Sequence, residues 1–386
     1  MINRILMLAA IAVTGTAVAA STAVAQVKLP PTLTMTAYDT GTSGFNITVA
    51  IGKMFKDKYG TDARVLPAGN DVARLQPLRL NRATISAMGA GVYFAQEGVF
   101  EFATREWGPQ AVQITLSSVD CNGLSLAIAG DAGAKTLAEL KGKRIGFVVG
   151  SPALNQNALA MLAFAGLTAK DVKIVEFASN NAMWKGAVNN DVDALFGSTI
   201  AGPAKELQSS PRGIVWPSLP HSDKAGWDRV RKVGPFFTEH KATCGAGSEF
   251  SKDKPIEMGT YPYPIYTVYG SQPENDVYML TKALIEGYDG YKDGAPGASG
   301  LALKGQTKNW AVPVHKGAVK AMKEAGAWSD DQEKHNNALL KRQETLIAAW
   351  NDFMKGTPSA DAAKFTEEWM AVRKAALAKA GMVDTF

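Results

Sequence analysis

The chain has 386 residues, 46% of them hydrophobic and 20% charged, with a formal net charge of +5. Those fractions exclude a disordered or fibrous chain. Lysines and arginines are scattered among acids without a long basic block, which argues against a nucleic-acid surface.

The chain opens on Met-Ile-Asn-Arg, runs through the apolar stretch from Ile5 to Val13, and reaches the triplets Ala17 to Ala19 and Ala23 to Ala25, both Ala-Val-Ala. A positive start, a short apolar middle and an A-x-A site predict a secretory signal peptide over residues 1–25, cleaved near Ala25. The apolar run is about half the roughly 20 residues a membrane-spanning helix requires. The expectation is therefore an exported, periplasmic protein whose mature part is soluble. Its length suits two lobes better than one.

Leu33 to Tyr38 reads as a strand, followed by the loop DTGTSGFN and an apolar-periodic helix from Ile47 to Lys58. Ala63 to Leu66 is the next strand, AGND (Ala68 to Asp71) opens a second helix, and Ile85 to Met88 is a short strand ending in GAGVYFA. This βαβαβ order is the pattern of an α/β domain. Val112 to Leu116 and Leu124 to Ala129 are strands separated by SSVDCNG, where the chain is expected to leave one lobe for another.

A second series then repeats the first. A strand at Arg144 to Val149 leads into a turn at Gly150 to Asn157 and a helix at Ala158 to Ala165; a strand at Val172 to Phe177 precedes a helix at Met183 to Val188; a strand at Ala194 to Gly197 runs into GSTIAGP and another helix. After Ile256 comes the aromatic run GTYPYPIYTVYG, whose strand from Tyr266 to Gly270 is suited to carrying the chain back. The rest has helical spacing at Val277 to Tyr288, Lys316 to Glu324, Ser329 to Phe353 and Ala360 to Ala380, and is expected to pack on the first lobe. The resulting division is residues 26–119 with 268–386 as lobe I and 120–267 as lobe II.

Three strand ends open into Gly-, Ser-, Thr- and Asn-rich turns that each start a helix: Gly41 to Asn46, Ala68 to Asp71, and Gly150 to Asn157. Unpaired N–H groups at the positive end of a helix suit a carboxylate, and ligands in open α/β sheets lie beyond the carboxyl ends of the strands. A bare N-cap is the commoner role for such residues. At Gly41 and Gly44, however, missing side chains leave the backbone open to an approaching ligand. Asn180, Asn181, Ser198 and Thr199 stand at two further strand ends with the same two roles open to them. Phe45, Tyr93, Trp184 and Tyr266 are candidate walls, although aromatics in such domains are more often core. Asp39 and Asp71 are acids near the turns that suit an ammonium group, which would point to an amino acid.

No GxSxG, HExxH or GxxxxGK[ST] motif is present, and His221, His240, His315 and His335 are dispersed. Neither an enzyme, a metal nor a cofactor is therefore expected. Cys121 and Cys244 lie in no CxxC pair; in an oxidising compartment they either bridge or remain two buried thiols, and the sequence leaves both open.

Three stretches resemble the TAXI solute receptors of TRAP (tripartite ATP-independent periplasmic) transporters: TAYDTGTSGFNITVAIGKMF with VLPAGNDVARLQPLRLNRATISAMGAG, LKGKRIGFVVGSPALNQNALAMLAFAGL with VDALFGSTIAGPAKEL, and NWAVPVHKGAVKAMKEAGAW. The resemblance covers nearly all of the mature chain. It implies a type II periplasmic binding protein fold, two α/β lobes joined by two hinge crossings, with a helical C-terminal tail. It further implies delivery of a solute, such as a glutamate-like amino acid or a dicarboxylate, to a membrane permease driven by an ion gradient. Its ligand-contacting turns fall on Gly41, Thr42, Ser43, Gly44, Phe45 and Asn46, on Asn70 and Asp71, on Ala90 and Gly91, and on Ser151 to Asn155. The sequence departs from the family's common pattern at DTGTSG, at GSPALNQN and in a longer tail, and these departures bear on the solute's identity. Two competing roles remain: a sensor that presents its liganded form to a membrane kinase, and a periplasmic enzyme on the same fold.

Overall fold

The computed structural model describes residues 26–247, 250–306 and 310–386. The expected signal peptide lies outside the described residues.

Strand β1 (Thr32–Tyr38) leads into helix α1 (Ser43–Tyr59), which buries Ile47, Ile51, Met54 and Phe55 on one face, the spacing of an amphipathic helix. Gly60 ends it at φ 71°, with its N–H on the Lys56 carbonyl, the left-handed stop that glycine adopts without strain. Strand β2 (Asp62–Ala68), α2 (Asp71–Arg79), β3 (Ile85–Met88), α3 (Gly91–Glu97) and β4 (Val112–Ser117) follow. Both β2 and β3 pair with β1 in parallel.

The chain then crosses to a second sheet. Its strands are β5 (Leu124–Ala129), β6 (Arg144–Val148), β7 (Lys173–Phe177), β8 (Ala194–Ser198), β9 (Ile214–Val215), β10 (Thr238–Ala242) and β11 (Ile256–Thr260). Between them lie α4 (Pro152–Phe164), α5 (Asn180–Val188), α6 (Gly202–Ser209) and α7 (Lys224–Val233). The order is β10-β11-β5-β8-β6-β7, with β9 against β5. Parallel pairing joins β6 to β7 and to β8.

Strand β12 (Ile265–Tyr269) returns to the first sheet, whose order is β2-β1-β3-β12-β4. Two α/β lobes joined by two crossings are therefore present, as the sequence pattern predicts. The crossings run side by side: the Tyr263 amide donates to the Ser118 carbonyl at 2.7 Å, and the Ser118 amide to Pro264 at 2.9 Å. The return falls before Ile265, ahead of the division expected after residue 267, because Ile265 to Thr267 already pair with β3.

Helices α8 (Glu274–Glu286), α9 (Tyr288–Tyr291), α10 (Lys316–Glu324), α11 (Asp330–Lys355) and α12 (Ala362–Lys379) complete the chain. They pack on the first lobe. Fully buried Glu97 at the end of α3 accepts from Arg342 of α11 and Arg373 of α12, and Trp369 donates to the Gly98 carbonyl.

Local sequence accounts for two shifts of boundary. The turn expected to reach Asn157 ends early, because Pro152 starts α4, a position where its missing N–H removes no helical bond. Asn180 and Asn181, expected at a strand end, form the first turn of α5, and Ser179 is the cap, accepting from the Ala182 amide.

Candidate functional site

The carboxyl ends of β1, β3, β6, β7 and β8 converge where the lobes meet. A cavity of about 40 Å3 lies there, lined from the first lobe by Tyr38, Thr42, Ser43 and Gly89. Leu124, Ala153, Leu154, Asn180, Trp184, Phe196, Gly197, Ser198 and Ala201 line it from the second, and Tyr261 and Tyr263 from the return crossing. The volume is that of a few water molecules. Wider grooves exist elsewhere, one of about 650 Å3 along α10 and α11. There Lys316 pairs with Glu274 and Lys323 with Glu333, an ordinary solvated surface.

The lobes touch through the predicted turns. Asp71, at the start of α2, is fully buried and pairs with fully buried Arg74 at 2.6 Å. Its first carboxylate oxygen also accepts from the Tyr38 hydroxyl at 2.6 Å. The second accepts from the Ala153 amide, in the first turn of α4, at 2.8 Å and lies 3.2 Å from Ser151 Oγ. Ser151 Oγ is also 2.8 Å from the Tyr38 hydroxyl. The Arg74 guanidinium stacks on the Tyr38 ring at 3.6 Å. The helix start that suits an incoming carboxylate thus holds the protein's own, reached from the opposite lobe.

The other helix starts of the second lobe are spent similarly. The Asn180 amide donates to the Gly69 carbonyl at 2.9 Å, and the Gly202 amide to Gly41 at 3.1 Å. The Asn181 amide donates to the Asp39 carboxylate at 2.9 Å, and its side chain to the Thr40 carbonyl at 3.0 Å. In return, the Val72 amide of α2 donates to the Gly150 carbonyl at 3.2 Å.

Of the residues singled out in the sequence, Thr42, Ser43, Asn180 and Ser198 line the cavity. Thr42 caps α1, accepting from the Phe45 amide, and Ser198 accepts from Asn122. Ser43 and Asn180 are 4% and 5% exposed, and neither side chain bonds another described residue. Gly44 backs the wall: a Cβ there would lie 2.9 Å from the Tyr263 hydroxyl.

The rest do other work. Gly41 accepts from Asn46 and Gly202. Asn70 caps α2. A Cβ on Gly91 would meet the Asp71 carboxyl at 2.7 Å, so Gly91 makes room for that side chain; Ala90 is buried at the start of α3, and Gly89 is the residue that reaches the cavity. Asn155 is turned away, holding both backbone groups of Val148. Thr199 ties the Gly123 amide to the Cys244 carbonyl, beside the bond that joins Cys121 to Cys244.

Among the four candidate wall aromatics only Trp184 lines the cavity. Phe45 packs against the core, Tyr266 is fully buried against Thr48, and Tyr93 belongs to a cluster with Phe94, Phe236 and Phe386. Sequence reading missed Tyr38, Tyr261 and Tyr263. The TYPYP run marked the last two as unusual without assigning them a place. Burial raises all three phenols, with the Asp71 charge adding to the shift at Tyr38, so each remains a protonated donor. Among the described residues no Lys, Arg, His, Asp or Glu lines the cavity.

Among the described residues no helix is long and apolar enough to cross a membrane, and no group of three or more acidic, histidine or cysteine side chains is placed to hold a metal. The profile of the NMT1-like family matches residues 35–326. The solved structures that are similar to the chain include three from different sources. An ancestral arginine-binding protein bound to arginine is 16% identical, covering 70% of this chain and 100% of its own, with a TM-score of 0.41. A protein from Bordetella bronchiseptica RB50 is 14% identical, covering 80% and 98%, with a TM-score of 0.44. The periplasmic aliphatic sulphonate binding protein from Escherichia coli is 12% identical, covering 92% and 90%, with a TM-score of 0.39.

Proposed function

Because the chain belongs to the NMT1-like family, we propose that it is a periplasmic solute receptor, a binding protein and not an enzyme, whose two lobes close over a small organic anion. One observation carries this reading: strand ends of both lobes and the return crossing line a cavity to which Ser43 and Asn180 contribute polar residues. Thr42, Ser43, Asn180 and Ser198 contact the solute. Asp71, Ser151, Asn181 and the glycine turns close the lobes around it.

Tyr38, Trp184, Phe196, Tyr261 and Tyr263 supply the apolar wall, which suits a pocket that gains affinity from buried area and orientation from a few polar groups. Delivery to a TRAP-type permease is the finer part of the proposal and rests on the resemblance of the three stretches named above. Calorimetry with a panel of carboxylates, amino acids and sulfonates tests the receptor reading. Saturable binding at one site, with a smaller radius of gyration in solution scattering, is expected; silence across the whole panel overturns it. Uptake into vesicles carrying the permease tests the finer part, with dependence on an ion gradient expected and dependence on ATP against it.

A further inference from the structure

The pocket's capacity for charge follows from where its helix starts point. At α4 the Ala153 amide is given to Asp71, at α5 two amides are given to Gly69 and Asp39, and at α6 the Gly202 amide is given to Gly41. The start of α2 donates to Gly150 across the cleft. Among the longer helices of the described residues that leaves the start of α1, where Thr42 and Ser43 line the cavity; Thr42 takes the Phe45 amide and the Tyr263 hydroxyl lies against Gly44, so the donor left there is the Ser43 amide. Ser43 on that turn and Asn180 opposite are more than nine-tenths buried and unbonded to any other described residue. Both residues line the cavity, where a solute can meet their polar groups.

The remaining charge near the cavity cancels. Arg74 lies behind Tyr38, but its partner Asp71 is 2.6 Å away and equally buried. Asp39, the other acid near the turns, accepts from Asn181. Among the described residues no acidic side chain lines the cavity to receive an ammonium group.

Resting on the receptor reading above, we infer that the solute carries one anionic group, seated on Ser43 at the start of α1, attached to an apolar body held among Tyr38, Trp184 and Phe196. The pocket rejects a second carboxylate and an α-ammonium group, since each would be buried without a partner. Asp71 is the positioning residue for this selectivity: it occupies the α4 start that a second carboxylate would need.

Matched skeletons of three to eight carbons, each presented as monocarboxylate, α-amino acid and dicarboxylate, test the inference by calorimetry on the full mature chain. A monocarboxylate is expected to bind at least tenfold more tightly than both of its matched partners. If an amino acid or a dicarboxylate binds as well or better, the inference fails while the receptor reading stands. If none of the three classes binds, the inference fails, and the receptor reading falls with it only when sulfonates are silent as well. The Asp71→Asn variant adds a second readout: with the carboxylate gone and Arg74 uncompensated, the ratio of dicarboxylate to monocarboxylate affinity is expected to rise at least tenfold. An unchanged ratio in a folded variant overturns the role of Asp71. Should the variant not fold, the comparison on the unaltered chain still decides the class of solute.

Discussion

Replacing Asp71 with alanine removes a carboxylate that four groups use at once. The Arg74 guanidinium and the Tyr38 hydroxyl lie 2.6 Å from one oxygen, and the Ala153 amide and Ser151 hydroxyl lie 2.8 Å and 3.2 Å from the other. Both members of the ion pair are fully buried, so water does not screen them. Stranding one partner of such a pair costs about 3–5 kcal/mol, because the remaining charge keeps its desolvation penalty and loses its compensation. The two bonds to α4 cross between lobes, so part of the loss appears as lobe opening. Urea titration should give a loss in this range for Asp71→Ala, and solution scattering a larger radius of gyration. Replacing both partners, Asp71→Leu with Arg74→Met, should cost less than the single change, since no charge is then left alone. A loss below about 1 kcal/mol for Asp71→Ala, or a double variant worse than the single one, refutes the argument that this pair is a buried, mutually dependent latch.

Three other changes probe separate parts of the molecule. Gly44→Val places a Cβ 2.9 Å from the Tyr263 hydroxyl, displacing a wall of the cavity; about 1–3 kcal/mol of overpacking should accompany at least a tenfold loss of solute affinity, and retained affinity by calorimetry contradicts the placement of the site. Burial raises the Glu101 carboxyl from 4.5 to about 7, so the folded chain keeps a proton that the unfolded chain has released. This contribution is complete below pH 4.5 and is lost as pH rises through 7, by up to about 3 kcal/mol; denaturation at a series of pH values should show the decline, and Glu101→Gln should flatten it. Cys121 and Cys244 are 123 residues apart in sequence, and opening a loop of that size releases about 5 kcal/mol of unfolded-state constraint. Reductant, or Cys121→Ser with Cys244→Ser, should lower the melting temperature, and an unchanged melt counts against the bond.

Elements set by local signals were legible. Ile85 to Met88 and Lys316 to Glu324 are observed at the bounds their apolar spacing predicts, and the crossing at SSVDCNG leads from β4 into β5. Sequence reading passed over the stretch that forms β9, α7, β10 and β11. Strand β10, Thr-Glu-His-Lys-Ala, has little apolar alternation and is fixed by antiparallel pairing with β11 along its whole length, a constraint outside any local window. The site divides in the same way. Strand ends that open helices are visible as Gly, Ser, Thr and Asn clusters, but the partner of each helix start is not. Asp71 and Ala153 are 82 residues apart, and nothing in either segment announces that one caps the other.

That long-range pairing alters the physical account of closure. A receptor whose helix starts all awaited a solute would draw its closing energy from the guest. Here the starts of α4, α5 and α6 are met by Asp71, Asp39 and the carbonyls of Gly69 and Gly41, so the lobes bring their own complementary groups. Opening exchanges those bonds for bonds to water, and each exchange is worth only about 0.5–1.5 kcal/mol net. The balance between open and closed forms is then poised by the protein itself. On the proposed receptor reading a solute shifts it only by what it binds better in the closed form, and the groups that line the cavity for that purpose are Ser43, Asn180 and the aromatic wall. On that reading selectivity falls to this small set, while the turns that first suggest a carboxylate site carry the contacts between the two halves.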